Sequence, residues 1–176
     1  MPPEHTEVQV RPGVEKDLDA LTAIYNHYVR ETAITFDTVI FTPEERRPWL
    51  LSHPEDGPHR LMVATETESQ QILGYATSSP YRPRPAYATS VEVSVYVAPD
   101  AGSRGVGTLL YDALFTALAE EDVHRAYAGI ARPNEPSERL HARFGFRHVG
   151  TYHEVGRKFG RYWDVAWYEK SLAPLR

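Results

Sequence analysis

The sequence predicts an α/β fold, in which a mixed β-sheet is flanked by helices, within a single domain of residues 1–176. Three observations predict this fold. Residues 90–118 read in succession as a strand, a glycine-rich turn and a helix. Short strand patterns and helical patterns are interspersed along the chain, which is typical of sheets covered by helices. With 41% hydrophobic and 24% charged side chains, 176 residues suffice for one full core.

The central strand is predicted by alternation over residues 91–97. Valine occupies every second position and faces one side, whereas Glu92, Ser94 and Tyr96 face the other side. In the helix that follows, apolar residues recur at helical spacing, at Leu110, Leu114, Ala117 and Leu118. A strand and a helix are therefore joined here within a few residues.

Glycines at positions 102, 105 and 107 predict a tight turn between this strand and helix. The first N–H groups of a helix are unpaired and its dipole favours negative charge, so the turn predicts an anion site. The order Gly-x-x-Gly-x-Gly matches neither the dinucleotide fingerprint nor the P-loop, which requires a lysine. The strand also brings Glu92 into this neighbourhood as a candidate general base.

Before the central strand, the patterns predict a strand, two helices and a hairpin. The predicted elements are a strand at 6–11, helices at Glu15–Tyr28 and 42–52, and strands at 61–66 and 72–79. Thr42 and Glu45 form a capping box around Pro43, which predicts the start of the second helix. The proline-rich segment Pro80–Tyr87 is predicted to be a stiff, extended loop, because it suits neither a central strand nor a helix.

After the central helix, the patterns predict one strand, one helix and two final strands. These are a strand at Arg125–Ala131, a helix ending at Phe144, and strands at Phe146–His153 and Val165–Leu172 around a loop at Glu154–Asp164. Gly145 is expected to stop the helix. The predicted order is therefore β-α-α-β-β-β-α-β-α-β-β.

Composition excludes several classes of function. Nineteen basic and 24 acidic residues give a net charge of −5, which argues against a nucleic-acid binder. No apolar run approaches the roughly 20 residues of a membrane span, and the N-terminus lacks signal-peptide features, so we expect a cytoplasmic protein. The chain has no cysteine, and its histidines show no metal-ligand spacing, so no metal site is expected.

Two motifs in the right order resemble those of the GCN5-related N-acetyltransferases. Residues 102–108 resemble their acyl-CoA-binding turn, Gln/Arg-x-x-Gly-x-Gly/Ala, with Gly102 where Gln or Arg is usual. Residues 139–150 resemble the second motif, in which a helix ends at a Gly-aromatic step into a strand. Within the superfamily, the similarity is closest to the phosphinothricin (methionine sulfoximine) N-acetyltransferases. It is carried by Ile24–Tyr28, Phe36, Pro80–Tyr87, Val95–Pro99, Pro133–Ser137 and Trp163–Val165.

The resemblance implies the acyl-CoA N-acyltransferase fold and the transfer of acetyl from acetyl-CoA to the α-amine of a small amino acid. Phosphinothricin, methionine sulfoximine and methionine sulfone are the implied acceptors, and a homodimer is the implied assembly. Because no cysteinyl intermediate is possible, we expect the amine to attack directly in a ternary complex. Two alternatives stay open: acetylation of a protein or peptide amine, and a non-catalytic acyl-CoA-binding sensor.

The resemblance also implies roles for individual residues. Cofactor contacts are implied for Val95, Tyr96, Val97, Ser103, Arg104, Gly105, Val106, Gly107, Thr108 and Asn134. For the strand residues, the contacts would come from the backbone and would meet the pantetheine arm. Asn134 would contact coenzyme A, cap the following helix, or do both.

Glu92 and His141 are the candidate catalytic residues. Glu92 would accept the proton of the attacking amine; the alternative is a solvated residue on a half-exposed strand. His141 stands where many acetyltransferases place a tyrosine that protonates the thiolate. It would be an acid, a second base or an orienting residue, or else a histidine on the helix surface.

Four residues are the candidates for binding the acceptor, namely Phe36, Arg82, Arg84 and Tyr87. A guanidinium held by flanking prolines would suit a substrate carboxylate or phosphinate. The alternative is that the two arginines only solubilise an exposed loop. The related enzymes often have His-Asp where this chain has Trp163-Asp164, so acceptor specificity is not fixed by the resemblance.

Overall fold

A computed structural model describes residues 7–102 and 104–172, which form a seven-stranded mixed sheet with four α-helices. The predicted order of elements is confirmed. The elements are β1 (Val8–Pro12), α1 (Leu18–Glu31), α2 (Pro43–Leu51), β2 (Leu61–Glu66), β3 (Ile72–Pro80), β4 (Ser90–Val97), α3 (Val106–Leu118), β5 (Arg125–Ala131), α4 (Glu135–Arg143), β6 (Arg147–Lys158) and β7 (Arg161–Ser171).

The sheet has the strand order β1-β2-β3-β4-β5-β7-β6. Every neighbouring pair is antiparallel except β4 and β5, which are parallel. These two strands pair only where Ser90–Glu92 meets Arg125–Tyr127. Beyond Glu92, β4 continues beside β3 without β5 alongside it, so a V-shaped opening separates β4 from β5.

Opposite faces of the sheet are covered by different helices. Tyr75 on β3 lies opposite Tyr96 on β4, and their rings contact aromatic side chains of α1 and α2. The neighbouring Gly74 faces the other way, where a side chain would touch Leu110 of α3. The predicted alternation of β4 is therefore confirmed, and both of its faces are covered.

Helix α4 packs beside α3 on that second face. A Cβ on Gly107 would lie 3.2 Å from the Leu140 side chain, so glycine permits the close approach of the two helices. The rings of Tyr111 and Phe144 also meet edge to face. Helix α4 ends before Gly145, whose φ of 81° is the left-handed conformation expected at a helix stop.

The capping box of α2 is present as predicted. The Glu45 N–H donates to the Thr42 hydroxyl, and the Thr42 N–H donates to the Glu45 carboxylate, at 3.2 and 2.9 Å. The first helix differs slightly from the prediction. A 3-10 turn over Glu15–Asp17 precedes α1, which continues to Glu31.

The last two strands are present as predicted, but they extend further toward each other, and the long loop predicted between them was wrong. Instead of a loop at Glu154–Asp164, β6 and β7 form a long hairpin joined at Phe159 and Gly160, both with positive φ. The register of β6 shifts twice, between His148 and Gly150 and between Tyr152 and Gly156. Such irregularities interrupt the period-2 pattern on which strand prediction depends.

The proline-rich segment is only partly extended, because Pro85–Tyr87 forms a 3-10 turn. Among the described residues, no helix is both long and apolar enough to cross a membrane.

Candidate active site

The V-shaped opening between β4 and β5 contains a cavity. Its walls come from both strands and from side chains of α3, α4 and the segment before α4. Val95 and Tyr96 line it, as does Asn134, whose side chain caps α4 by accepting a 3.4 Å hydrogen bond from the Ser137 N–H. The opening thus brings together several residues that the sequence analysis assigned to cofactor binding.

Glu92 lies at the vertex of this opening, in the last residue pair that joins β4 to β5. Its side chain is about one-third exposed, and the nearest cation is the Arg82 guanidinium, 3.9 Å from the carboxylate. Burial raises the pKa of Glu92, and the positive charge of Arg82 opposes that shift. A carboxylate with a raised pKa at the edge of a cavity has the properties required of a general base.

His141 is buried, with 3% of its surface exposed, and both ring nitrogens have partners. Nδ1 lies 2.7 Å from the Ser137 carbonyl oxygen, which can only accept, so Nδ1 carries the proton. In the neutral ring Nε2 then accepts from the Tyr111 hydroxyl at 2.8 Å. Burial lowers the pKa of His141, which favours this neutral form. The structure therefore contradicts the surface-histidine alternative.

The glycine turn leads directly into α3. Gly105 is the residue before the helix and has a φ of 69°, a left-handed conformation that glycine adopts without strain. Val106 is buried in the core, whereas Thr108 is only partly buried. Ser103, another predicted phosphate contact, lies outside the described residues.

The Arg104 side chain points to β2 rather than to the start of α3. Its guanidinium donates to the Glu66 carboxylate and to the Ala101 carbonyl, both at 2.8 Å. A phosphate contact at this turn would therefore come from backbone N–H groups rather than from this guanidinium. The carbonyl of Val97, at the end of β4, accepts a hydrogen bond from the Tyr28 hydroxyl.

The four acceptor-binding candidates do not lie together. Arg82, Arg84 and Tyr87 are exposed and line a cavity in the proline-rich segment. Phe36 packs elsewhere, against β6, where a Cβ on Gly156 would overlap its ring at 2.2 Å. Of the four, Arg82 is the one that an ion-pair distance places beside Glu92.

A second cavity lies on the opposite face of the sheet, under α1 and α2. It is lined by hydroxyl groups of β3 and β4 and by a cluster of aromatic rings around Arg46. Ser94 and Tyr96 line both cavities, so the two meet at β4. Burial raises the pKa of the Tyr75 hydroxyl far above its usual range, and the neighbouring Arg46 guanidinium opposes that shift.

Two features of the site were not predicted from the sequence, namely the Tyr111 partner of His141 and the buried Arg46. Tyr111 is next to Leu110 on the apolar face of α3, so the sequence pattern predicts only that it packs in the core. Arg46 lies between charged neighbours in a helix whose apolar residues show no clear helical period, so the sequence predicts that its side chain is exposed to solvent. The described residues hold no group of three or more histidine and acidic side chains that could bind a metal ion.

Residues 11–167 match the family model of the acetyltransferase (GNAT) domain. A phosphinothricin N-acetyltransferase from Streptomyces coelicolor is 79% identical over 170 residues, which cover 97% of this chain and 99% of that protein.

Two solved structures are similar over most of their length. A GNAT superfamily phosphinothricin acetyltransferase from Sinorhizobium meliloti, in complex with acetyl-CoA, has a TM-score of 0.89 and 28% identity, covering 94% of this chain and 89% of its own. A ribosomal-protein-alanine N-acetyltransferase from Brucella melitensis has a TM-score of 0.87 and 37% identity, covering 93% and 99%. The fold and the acetyl-CoA cosubstrate that the sequence predicted are therefore those of the similar proteins.

Proposed function

The chain belongs to the GNAT acetyltransferase family and is an acetyl-CoA-dependent N-acetyltransferase, and we propose that its acceptor is a small amino acid acetylated on the α-amine. Phosphinothricin is the acceptor with the most support, because the Streptomyces coelicolor relative that carries its name shares 79% of residues over nearly the whole chain. Methionine sulfoximine and methionine sulfone share its amino-acid head and a polar oxygen group farther along the side chain. Family membership among enzymes leaves the sensor alternative without support.

The position of Glu92 carries the mechanistic part of the proposal. An ammonium group must lose a proton before it attacks a thioester, and Glu92 has a pKa raised by burial at the vertex of the opening. In the proposed reaction, Glu92 accepts that proton directly or through a water. The amine nitrogen then bonds to the acetyl carbon, the carbon–sulfur bond breaks, and coenzyme A leaves as a thiolate, which takes up the second proton lost by the nitrogen.

Acetyl-CoA would lie in the V-shaped opening. From residue 93 to residue 97, β4 has no pairing with β5, so the backbone groups on that side are available to the pantetheine arm. The pyrophosphate would bind the N–H groups at the start of α3, where Gly105 shapes the turn. Asn134 would add a contact beside the same cavity.

His141 would act as an orienting residue. In its neutral form Nε2 accepts from Tyr111 and so has no proton to donate, and burial opposes the charged form that could donate. By holding the Tyr111 hydroxyl at the cavity wall, His141 would fix the shape of the acetyl site. Arg82, 3.9 Å from Glu92, would bind the α-carboxylate of an amino acid whose amine lies at that base.

The test is release of coenzyme A thiol from acetyl-CoA with a panel of acceptors. The panel contains phosphinothricin, methionine sulfoximine, methionine sulfone, common amino acids, polyamines and short peptides. We expect saturable turnover with at least one of the first three and the highest kcat/KM among the panel for one of them. Turnover with peptides alone would contradict the small-acceptor proposal.

A peptide amine is the second candidate, because one similar structure, at 37% identity, is that of a protein-alanine acetyltransferase. A peptide would need an open groove next to Glu92. Instead, Ser94 and Tyr96 connect the opening to a cavity that helices α1 and α2 cover. We therefore favour the small acceptor.

We further propose a cytoplasmic homodimer. Strand β6 is at the edge of the sheet and exposes large apolar side chains, namely Val149, Tyr152 and Val155, and beyond the strand Phe159 and Tyr162. Edge strands with apolar side chains readily pair with another strand. Light scattering after gel filtration is expected to give twice the chain mass, and Val149→Lys with Val155→Lys is expected to give a monomer. A wild-type monomer at micromolar concentration would contradict the proposal.

A further inference from the structure

Arg46 is a buried cation held in an aromatic cage. It belongs to α2, and only 9% of its surface is exposed. Its guanidinium carbon lies 3.9 Å from the centre of the Trp49 ring and 4.2 Å from that of Tyr25, with Phe41 at 5.7 Å. Contacts of this kind fix the position of a guanidinium without consuming its hydrogen bonds.

No carboxylate of the described residues pairs with this guanidinium, and its Nε atom has no hydrogen-bond partner. The nearby Asp37 carboxylate instead accepts from the Tyr25 hydroxyl. Three other arginines that are not fully exposed each have an acidic partner, namely Arg11 with Asp17, Arg60 with Glu121 and Arg132 with Glu138. Because a buried charge without a partner is costly, the cage is expected to receive an anion from outside the chain.

The cavity beside Arg46 follows the polar face of β4. It is lined by Thr77 and Ser79 of β3 and by Ser94 of β4. Ser79 lies directly opposite Glu92, and Thr77 opposite Ser94. Two residues along a strand advance about 7 Å, so Ser94 lies about that far along this face from Glu92, and it lines the same cavity as the cage residues Tyr25 and Trp49.

The spacing suits a small amino acid lying along β4. An amine at Glu92 leaves the α-carboxylate, which is attached to the same carbon atom, within reach of Arg82. An oxygen group three or four bonds from the α-carbon would extend toward the far end of the cavity, where Arg46 is held. The two guanidinium groups therefore lie at opposite ends of the polar face.

We propose that Arg46 is a specificity-determining residue that binds the oxyanion or polarised oxygen group at the distal end of the acceptor side chain, such as a phosphinate. The inference rests on the proposed small-acceptor function. It assigns Arg82 and Arg46 to different ends of one substrate. The hydroxyl groups of Thr77 and Ser94 supply further hydrogen bonds along the way.

The test compares Arg46→Gln with Arg47→Gln. Arg47 is the next residue of the same helix, but its guanidinium pairs with Glu44 and Glu15 near the surface. For Arg46→Gln we expect KM for phosphinothricin to rise about 30- to 100-fold, because the variant loses one charge-assisted contact with the substrate. KM for acetyl-CoA should be unchanged. Arg46→Lys is expected to recover part of the loss, and Arg47→Gln to match the wild type.

A purely structural role would raise both KM values together and lower the melting temperature, and a KM for phosphinothricin within threefold of the wild type would also overturn the proposal.

A measurement on the unaltered protein decides the matter if Arg46→Gln does not fold. Norvaline has the same amino-acid head but no distal oxygen group. As a competitor of phosphinothricin acetylation, it is therefore expected to have an inhibition constant at least 30-fold higher than the KM for phosphinothricin. Equal constants would overturn the role of Arg46. If the wild type turns over no acceptor of this class, the proposed function fails together with this inference, whereas turnover with an unchanged Arg46→Gln refutes the inference alone.

Discussion

Both faces of β4 are covered by helices, yet the buried polar groups on the two faces differ in whether they have hydrogen-bond partners. On the face under α3 and α4, His141 has a partner on each ring nitrogen, one of them the buried Tyr111 hydroxyl. On the face under α1 and α2, no carboxylate of the described residues pairs with Arg46, and neither its Nε atom nor the Tyr75 hydroxyl has a hydrogen-bond partner there. Glu92, on the same face, has a cation 3.9 Å away and a raised pKa.

Under the proposed function, this difference separates groups that maintain the structure from groups that bind the acceptor. A buried polar group whose hydrogen bonds are all made within the chain contributes to stability, and losing a partner is costly. A buried polar group that lacks a partner gains one when a ligand binds. We therefore expect substitutions under α1 and α2 to change kinetics more than stability, and substitutions under α3 and α4 to do the reverse.

The largest expected effect is that of Glu92→Gln. Removal of a general base is expected to lower kcat by about 10²- to 10⁴-fold while KM for acetyl-CoA stays within a few-fold. Steady-state thiol release measures both. Glu120→Gln, at an exposed position after α3, is the matched control and should behave as the wild type. An unchanged kcat with chemistry rate-limiting would remove Glu92 from the mechanism.

The same variant sharpens the comparison through pH dependence. Glu92 acts as a base only when it is ionised, so kcat/KM is expected to fall as the pH decreases through its pKa. Because burial raises that pKa, the acid limb should lie above the ordinary carboxyl range. Glu92→Gln should lack this limb, and a profile identical to that of the wild type would assign the limb to another group.

The second expected effect is on stability, on the other face. His141→Ala removes a buried ring and leaves the Tyr111 hydroxyl and the Ser137 carbonyl without their partner, so the free energy of unfolding should fall by about 3 kcal/mol. Urea denaturation measures this change. His148→Ala, at an exposed position, is the control. A loss of activity with undiminished stability would make His141 a catalytic rather than an orienting residue.

The smallest expected effect is that of Tyr111→Phe. It removes one hydroxyl and keeps the ring packed against His141 and Phe144. The free energy of unfolding should fall by about 1 kcal/mol, and kcat by no more than about tenfold, because His141 loses the group it orients. The same denaturation and thiol-release measurements apply. A fall in kcat as large as that of Glu92→Gln would mean that the tyrosine itself transfers a proton.

Much of the fold was predictable because the pattern of each element is local. The alternation of β4, the capping box of Thr42 and the helix stop at Gly145 each depend on residues a few positions apart. The final hairpin was not predictable in this way. Two shifts of register in β6 break its alternation, and the pairing with β7 that keeps the strands together is set by residues across the hairpin.

The candidate site divides along the same line. By itself, the sequence determined that a strand, a glycine turn and a helix adjoin Glu92, because these are contiguous, and the family resemblance rests on that stretch. Only the tertiary structure decided that His141 is buried against Tyr111, that Arg104 turns toward Glu66, and that Arg46 is buried among aromatic rings with no acidic partner among the described residues. Burial and pairing depend on segments far apart in the chain that are brought together by packing, and no local pattern encodes which polar groups remain without a partner.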